Sequence, residues 1–422
     1  RRVSEVLSDK IAKSNFEDNE KRFITEIVNG SVRLKGRLDW EIDQVFNGSV
    51  KDLKENFLIL LRIGLYQIRH LDSVPDYASV ATTVQLAKRI HNNLGGLTNA
   101  LLRALIDFKN PDIPSEKSDL DYISSYYSHP TWLVEKWIEE FSYEKTIKLL
   151  NCNNRKPDIY FRINRLKSSK TDIENILKEN NYNYKYYEYV DVTFKIDDSS
   201  AKIIKSSEFI NGSLSVQNPS AALVVKLLDP KPNDIIIDAC SAPGGKTTFM
   251  AELMENKGTI YAYDKSKLRL KKLEDNTRRL GINIVNIEDK DLAKPQNFPT
   301  VSKVLVDVPC SGTGVLSKRS DLRWRRDMDD LLEMHLLQRK ILWEAAKFVA
   351  LNGVIVYSTC SLEYEENWMV IKAFLKSHSN FKIDDASKYV NAIFVDENGA
   401  LSTNPVDHSI DGGFAVRLVR CD

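Results

Sequence analysis

Two cysteines stand where a nucleophile would stand. Cys310 lies in LVDVPCSGTGVL (305–316) and Cys360 in VIVYSTCSLEYEEN (354–367), each after an apolar run that reads as a buried strand. The thiolate is the nucleophilic form of cysteine, and helix N-termini and cations near a strand end can hold it. The repeated pattern predicts one shared site without ranking its two members. Cys152, Cys240 and Cys421 read instead as small buried hydrophobes, the usual condition of a lone cysteine.

A second group of residues predicts what the thiolate serves. DIIIDACSAPGGKTT (234–248) reads as strand, tight loop and helix, with Gly244 and Gly245 letting the backbone approach a ligand and the helix start offering N–H groups. The phosphate-loop pattern GxxxxGK[ST] fails, because Cys240 stands where its first glycine belongs, and GxGxxG is absent too. The next strand ends in Asp264, placed to accept both hydroxyls of a ribose. A third ends near Asp289 and Asp291. A ribose acid beside a loop without phosphate specificity predicts a nucleoside cofactor lacking a diphosphate, S-adenosylmethionine. A thiolate beside a methyl donor suits the C5 carbon of a pyrimidine. Sulfur adds at C6, C5 becomes enamine-like and takes the methyl, and a group hydrogen-bonded at N3 stabilises the developing charge. Asp307, three residues before Cys310, is in the right neighbourhood for that contact. A base must then remove the C5 proton so that sulfur can leave.

These residues need a frame. Strands are predicted at 234–240, 259–264, 283–289, 303–308 and 353–359, with helices between them in KTTFMAELMEN, SKLRLKKLEDNTRRLG and DDLLEMHLLQRKILWEAAKFV. Near-continuous Ile/Val runs joined by crossover helices predict a parallel sheet covered on both faces, whose ligands sit beyond the carboxyl ends of the strands. Residues 1–108 show helical periodicity throughout, as in Phe23, Ile27, Leu34 and Leu38, and predict a bundle. KNPDIPSEKSD (109–119) reads as a linker, and 129–214 as a small α/β insertion.

The 422 residues exceed what a single core holds, and 42% apolar with 28% charged residues is ordinary for a globular chain. No apolar run approaches the ~20 residues of a membrane span, and RRVSEVLSDK lacks the apolar region of a signal peptide. Five irregularly spaced cysteines form neither a disulfide framework nor a metal pattern, so a cytoplasmic protein without metal or membrane is expected. A net charge of +1 says nothing about nucleic acid, so any basic surface must be local.

Together DACSAPGGKT, YAYDKSKLR, LVDVPCSGTGVLSKRSDLRW and YSTCSLEYEEN resemble the RNA cytosine-5 methyltransferase family, and within it the bacterial small-subunit ribosomal RNA enzymes of the Sun/Fmu (RsmB-like) group. FITEIVNGSVRLKGRLDW, LYQIRHLDSVPDYASV and NALLRAL resemble the NusB-like domain of those enzymes, so the likeness spans nearly the whole chain. The resemblance implies a multidomain fold: an all-α NusB-like bundle (1–112), a small α/β RNA-binding subdomain (129–214) and a class I, Rossmann-like methyltransferase domain (215–422). It also ranks the cysteines. Cys360 is implied to attack, Cys310 to assist release, Asp307 to lie by cytosine and methyl donor, and Lys246 to lie close to the active centre. The implied cofactor contacts are Cys240, Ser241, Ala242, Pro243, Gly244, Gly245, Lys246, Asp264, Arg269, Asp291 and Asp307. Asp291 is preferred to Asp289 because it lies ten residues after Gly281. Tyr364, where the family usually has Pro, and Gly413 in DGGFAVRL depart from the family pattern outside the reacting groups.

SKRSDLRWRR (317–326) sets Lys318, Arg319, Arg323, Arg325 and Arg326 against Asp321 around Trp324. Basic side chains around an aromatic suit phosphate contact and base stacking, and FRINRLK, with Arg162 and Asn164, resembles the family's RNA-binding segment. The expected partner is small-subunit ribosomal RNA, met by a monomer with the target base turned out of its stack. Transfer RNA as substrate, or a non-catalytic RNA-binding assembly factor, are the alternatives.

Overall fold

The computed structural model describes residues 3–109, 111–197 and 200–422; Asn110, in the expected linker, lies outside them. Contacts divide the chain into two units. One runs to Lys156 and includes Leu316–Arg325, and the other comprises Pro157–Val315 and Arg326–Asp422.

The first unit is helical. Its helices include Asp18–Arg33, Lys35–Val45, Glu55–His70, Asp76–Ile90 and Leu94–Asp107. Leu38, Ile42, Leu61, Leu65, Leu102 and Leu105 are fully buried at its centre, a single stripe from each of several helices. Thr131–Phe141 and Tyr143–Asn154 belong to this unit as well. The stretch predicted as an α/β insertion therefore starts with two amphipathic helices, burying Leu133, Val134 and Trp137, and turns α/β only at Pro157.

The second unit holds two sheets. The smaller contains β1 (Tyr160–Ile163), β2 (Tyr184–Tyr187), β3 (Val190–Ile196) and β4 (Leu214–Val216), antiparallel in the order β2-β3-β1-β4. The larger contains β5 (Ile235–Asp238), β6 (Thr259–Asp264), β7 (Val285–Asp289), β8 (Val301–Asp307), β9 (Val349–Thr359), β10 (Phe381–Asp384), β11 (Leu401–Thr403) and β12 (Gly413–Arg420). Its order is β10-β12-β9-β8-β5-β6-β7, with β11 on β12. β5 to β9 pair in parallel, as their Ile/Val runs predict. Successive residues serve opposite faces: Ile236, Leu305 and Val356 enter one core, and Ile237, Val304, Val306 and Ile355 the other. Each such side chain contributes about 1.5–3 kcal/mol when fully buried.

The sheet as a whole is mixed, which corrects the expectation of a parallel one. β12 runs antiparallel to β9, from Phe414 opposite Thr359 to Val419 opposite Val354, and β10 and β11 pair antiparallel with β12. Phe414, Val416 and Leu418 cover one face and Ala415 the other, so this strand extends the same two cores beyond β9. Among the described residues no helix is long and apolar enough to cross a membrane.

Candidate active site

Strand order reverses at β5, which has β6 on one side and β8 on the other, and ligands of open α/β sheets bind at such a point. Asp238, Asp264 and Asp307 end β5, β6 and β8, and Cys360 follows β9 directly. The residues predicted to do chemistry thus share one sheet edge.

The glycine loop closes over that edge. Gly244 has φ +103°, open to glycine at little cost, and a Cβ there would also strike the Leu273 side chain. The chain then enters the helix Gly245–Leu253. A cavity of about 230 Å³ lies against this loop, lined among others by Asn218, Asp238, Cys240, Gly245, Lys246 and Asp307. Asp238 is buried; its Oδ2 accepts from Thr247 Oγ1 at 2.7 Å, while its Oδ1 accepts no hydrogen bond among the described residues. Burial pushes this carboxyl up to about 7 despite the Thr247 hydrogen bond. A buried acceptor left open in a cavity fits a cationic donor, and the start of the helix fits a carboxylate. That pair of groups matches the amino acid end of S-adenosylmethionine. Asp264, also buried, accepts from the backbone N–H of Ala242 at 3.3 Å and of Ser266 at 2.9 Å, so it braces the loop. Arg269 donates to the Ala242 carbonyl and lies 3.5 Å from Asp264.

The two sulfurs meet. Cys310 Sγ and Cys360 Sγ are 3.0 Å apart without a disulfide, and the Cys360 N–H points to Cys310 Sγ at 3.4 Å. The hydrogen bond with Cys360, then burial, pushes the Cys310 thiol well up. Cys310 is thereby kept a thiol, and either sulfur can donate in the contact between them. Next along the edge, Asp307 Oδ2 accepts from Lys246 Nζ at 2.7 Å and Asp307 Oδ1 from Ser358 Oγ at 2.8 Å. Burial would lower the Lys246 ammonium, but Asp307 outweighs it and holds the proton on, so Lys246 is a charged donor rather than a base. Burial, then the neighbouring carboxylates, pushes the Cys240 thiol up, which keeps it an inert wall of the cavity.

Of the two acids near the end of β7, Asp289 is exposed and lies 3.4 Å from Lys267 Nζ. Asp291 is half-buried and accepts the Ala293 N–H at 3.1 Å.

Three expected RNA contacts are corrected. Arg162 is fully buried on β1, where its guanidinium pairs with Glu252 at 2.6 Å, donates to Gln217 Oε1 at 2.5 Å and to the Gly245 carbonyl at 3.1 Å, and stacks over Phe249. Asn164, equally buried, donates to the carbonyls of Gly212 and Leu280, both at 2.9 Å. Arg323 is buried in the first unit, donating to the Ser128 carbonyl at 3.1 Å, Asn154 Oδ1 at 2.7 Å and the Asn153 carbonyl at 3.0 Å; burial lowers it to about 9. These side chains serve acceptors inside the protein and are buried away from any phosphate. Trp324 donates its indole N–H to the Val32 carbonyl at 2.8 Å with Lys35 over its ring, whereas Arg325 stays exposed, 3.5 Å from Asp321. Arg162→Ala is expected to destabilise the chain by about 3–5 kcal/mol in denaturant unfolding, because Glu252 would remain buried without a counter-charge.

Two residues escaped notice in the sequence. Asp238 carries the same signal that marked Asp264, an acid closing an Ile-rich strand, and could have been found by it. Glu366 carries none: it is one of three acids in LEYEEN, distinguished only by its partners in space.

The family model "16S rRNA methyltransferase RsmB/F" matches residues 225–419, the NusB family model 1–107, and the model for the ferredoxin-like domain of RsmF/B-like methyltransferases 129–201. The chain is 34% identical over 411 residues to the probable ribosomal RNA small subunit methyltransferase B of Synechocystis sp., covering 94% of this chain and 91% of that one. It is 31% identical over 386 residues to the probable enzyme of the same name from Bacillus subtilis, covering 90% and 86%. The crystal structure of PH0851 superposes with a TM-score of 0.82 at 31% identity, over 96% of this chain and 91% of that one. The structure of NSun6 from Pyrococcus horikoshii with SFG gives 0.63 at 25% identity, over 69% and 98%.

Proposed function

The chain belongs to the 16S rRNA methyltransferase RsmB/F family, S-adenosylmethionine-dependent RNA methyltransferases, and from that premise we propose that it methylates C5 of a cytosine in small-subunit ribosomal RNA through a covalent bond between Cys360 and C6. The observation that carries the proposal is the pair of sulfurs 3.0 Å apart on the sheet edge that also holds the Lys246–Asp307 pair.

Bound S-adenosylmethionine supplies an electrophilic methyl group. Cys360 adds its sulfur to C6 and so turns C5 into a carbon that can take that methyl. Lys246 and Asp307 offer one charged donor and one acceptor side by side, which a cytosine edge matches with N3 and the N4 amino group. The charge that addition places on the ring at N3 then faces an ammonium, and the stabilisation grows as the adduct forms. Asp307 is implied by this to orient the base, with Lys246 as the donor at N3. Once the adduct has formed, Cys310 loses its own proton to solvent and as thiolate takes the C5 proton, C5 and C6 regain their double bond, and Cys360 leaves as thiolate.

The test is bisulfite mapping of RNA incubated with the enzyme and S-adenosylmethionine. One newly protected cytosine in small-subunit ribosomal RNA, with transfer RNA unprotected, is the expected result. Protection in transfer RNA alone would overturn the substrate assignment, and methylation without bisulfite protection would overturn the C5 assignment.

A further inference from the structure

The Cys310 and Cys360 loops belong to different strands, and the pairing of β8 with β9 ends with the Val308 N–H on the Ser358 carbonyl at 3.0 Å, before either sulfur is reached. Something beyond the sheet must hold the sulfurs together. The carboxylate of Glu366, fully buried, sits where it can. Its Oε1 accepts the backbone N–H of Ser311, the residue after Cys310, at 2.8 Å. Its Oε2 accepts the hydroxyls of Ser311 and of Ser361, the residue after Cys360. Gln338 completes the arrangement: its amide donates to Glu366 Oε1 at 2.8 Å and to the Pro309 carbonyl at 3.0 Å, on the other side of Cys310. The two serine hydroxyls are themselves 3.1 Å apart.

We propose that Glu366 is the positioning residue of the reaction, a buried carboxylate that clamps the residue following each cysteine and thereby sets the two sulfurs at contact distance. This rests on the reading that the pair is catalytic, but the clamp can be tested without it. A carboxylate accepting four hydrogen bonds has no polar valence left for substrate. Its role is therefore to hold groups that react, not to react itself. A buried anion also needs its donors, since an unpaired one would be costly, so carboxylate and loops fix each other. Further support comes from the crossing of the two loops with a third. The Gly314 N–H donates to the Cys360 carbonyl at 3.0 Å and the Gly412 N–H to the Gly314 carbonyl at 2.8 Å. A Cβ on Gly314 would collide with the Gly412 backbone. The loops are packed backbone on backbone, and the clamp is the polar pin through them.

The experiment reads sulfur proximity directly. A diazene oxidant such as diamide takes two electrons and two protons from the dithiol, becoming the hydrazine as the sulfur–sulfur bond forms. The linked 310–360 peptide can be followed by mass spectrometry in the absence of RNA and cofactor. Glu366→Ala is expected to slow that cross-link at least tenfold and to lower kcat for methylation at least tenfold, with S-adenosylmethionine affinity within twofold of wild type. Glu366→Gln keeps an acceptor for the two N–H donors and offers its amide to the two rotatable hydroxyls. It is expected to restore cross-linking to within threefold of wild type. Should the alanine variant not fold, the double variant Ser311→Ala, Ser361→Ala removes the hydroxyl half of the clamp and is expected to slow the cross-link at least threefold. Wild-type cross-linking rates in folded Glu366→Ala or in the double variant would overturn the proposal. Slow cross-linking in Glu366→Ala beside an inactive wild type would uphold the clamp and sink the catalytic reading instead.

Discussion

Cys360→Ala brings methyl transfer below about 10⁻³ of the wild-type rate, a loss of more than about 4 kcal/mol of transition-state stabilisation, and eliminates any covalent RNA adduct. The size of the expected effect follows from what the sulfur supplies. Without addition at C6, C5 of cytosine is a poor nucleophile, and Lys246 and Asp307 can only orient a ring that does not react. Cys310 does not substitute. With Cys360 gone, burial still holds its thiol up, and its sulfur lies on the other loop, not at the Cys360 position. Methyl transfer to ribosomal RNA, followed with a labelled donor, measures the loss, and turnover above a tenth of wild type would reject Cys360 as nucleophile.

Cys310→Ala has the opposite signature: with Cys360 intact, a protein–RNA adduct that survives denaturation accumulates toward one equivalent, and steady-state turnover falls by about 10² or more. The reason lies in what adduct formation does to the pair. Two things hold the Cys310 proton in place besides burial, the hydrogen bond to Cys360 Sγ and the repulsion between the sulfurs. Both vanish when Cys360 becomes a thioether on C6. On the proposed reading Cys310 can then give up its own proton to solvent and take the one from C5. Removing it leaves addition possible and elimination slow. Denaturing gel electrophoresis after incubation with RNA and S-adenosylmethionine reads the outcome. An adduct trapped by Cys360→Ala rather than by Cys310→Ala would exchange the two roles.

Much of this site was legible from residue order. The ends of β5, β6, β8 and β9 could be read because a buried parallel strand announces itself as a short Ile/Val run, and its last residue faces the ligand edge whatever the rest of the chain does. The glycine loop was legible for the same local reason: φ +103° at Gly244 restricts the residue type. Arg162 and Arg323 show where such reading fails. Each lies in a stretch whose composition suits RNA, yet each ends fully buried on carbonyl and carboxylate acceptors. β12 was missed because its partner is β9, more than fifty residues earlier, and its eight residues do not stand out on their own.

By itself, then, the sequence determined the class of chemistry: two strand-end cysteines, an acid three residues from one of them, and a loop built for a nucleoside without a diphosphate. Those are properties of single segments, set by steric freedom and hydrophobic period. Only the tertiary structure decided which groups face each other. It brought the sulfurs to 3.0 Å, put Lys246 on Asp307 and sent Glu366 to Ser311 across 55 residues of chain. Burial makes such pairings compulsory, because a buried charge or donor must find a partner, and the partner is chosen by packing rather than by proximity in sequence.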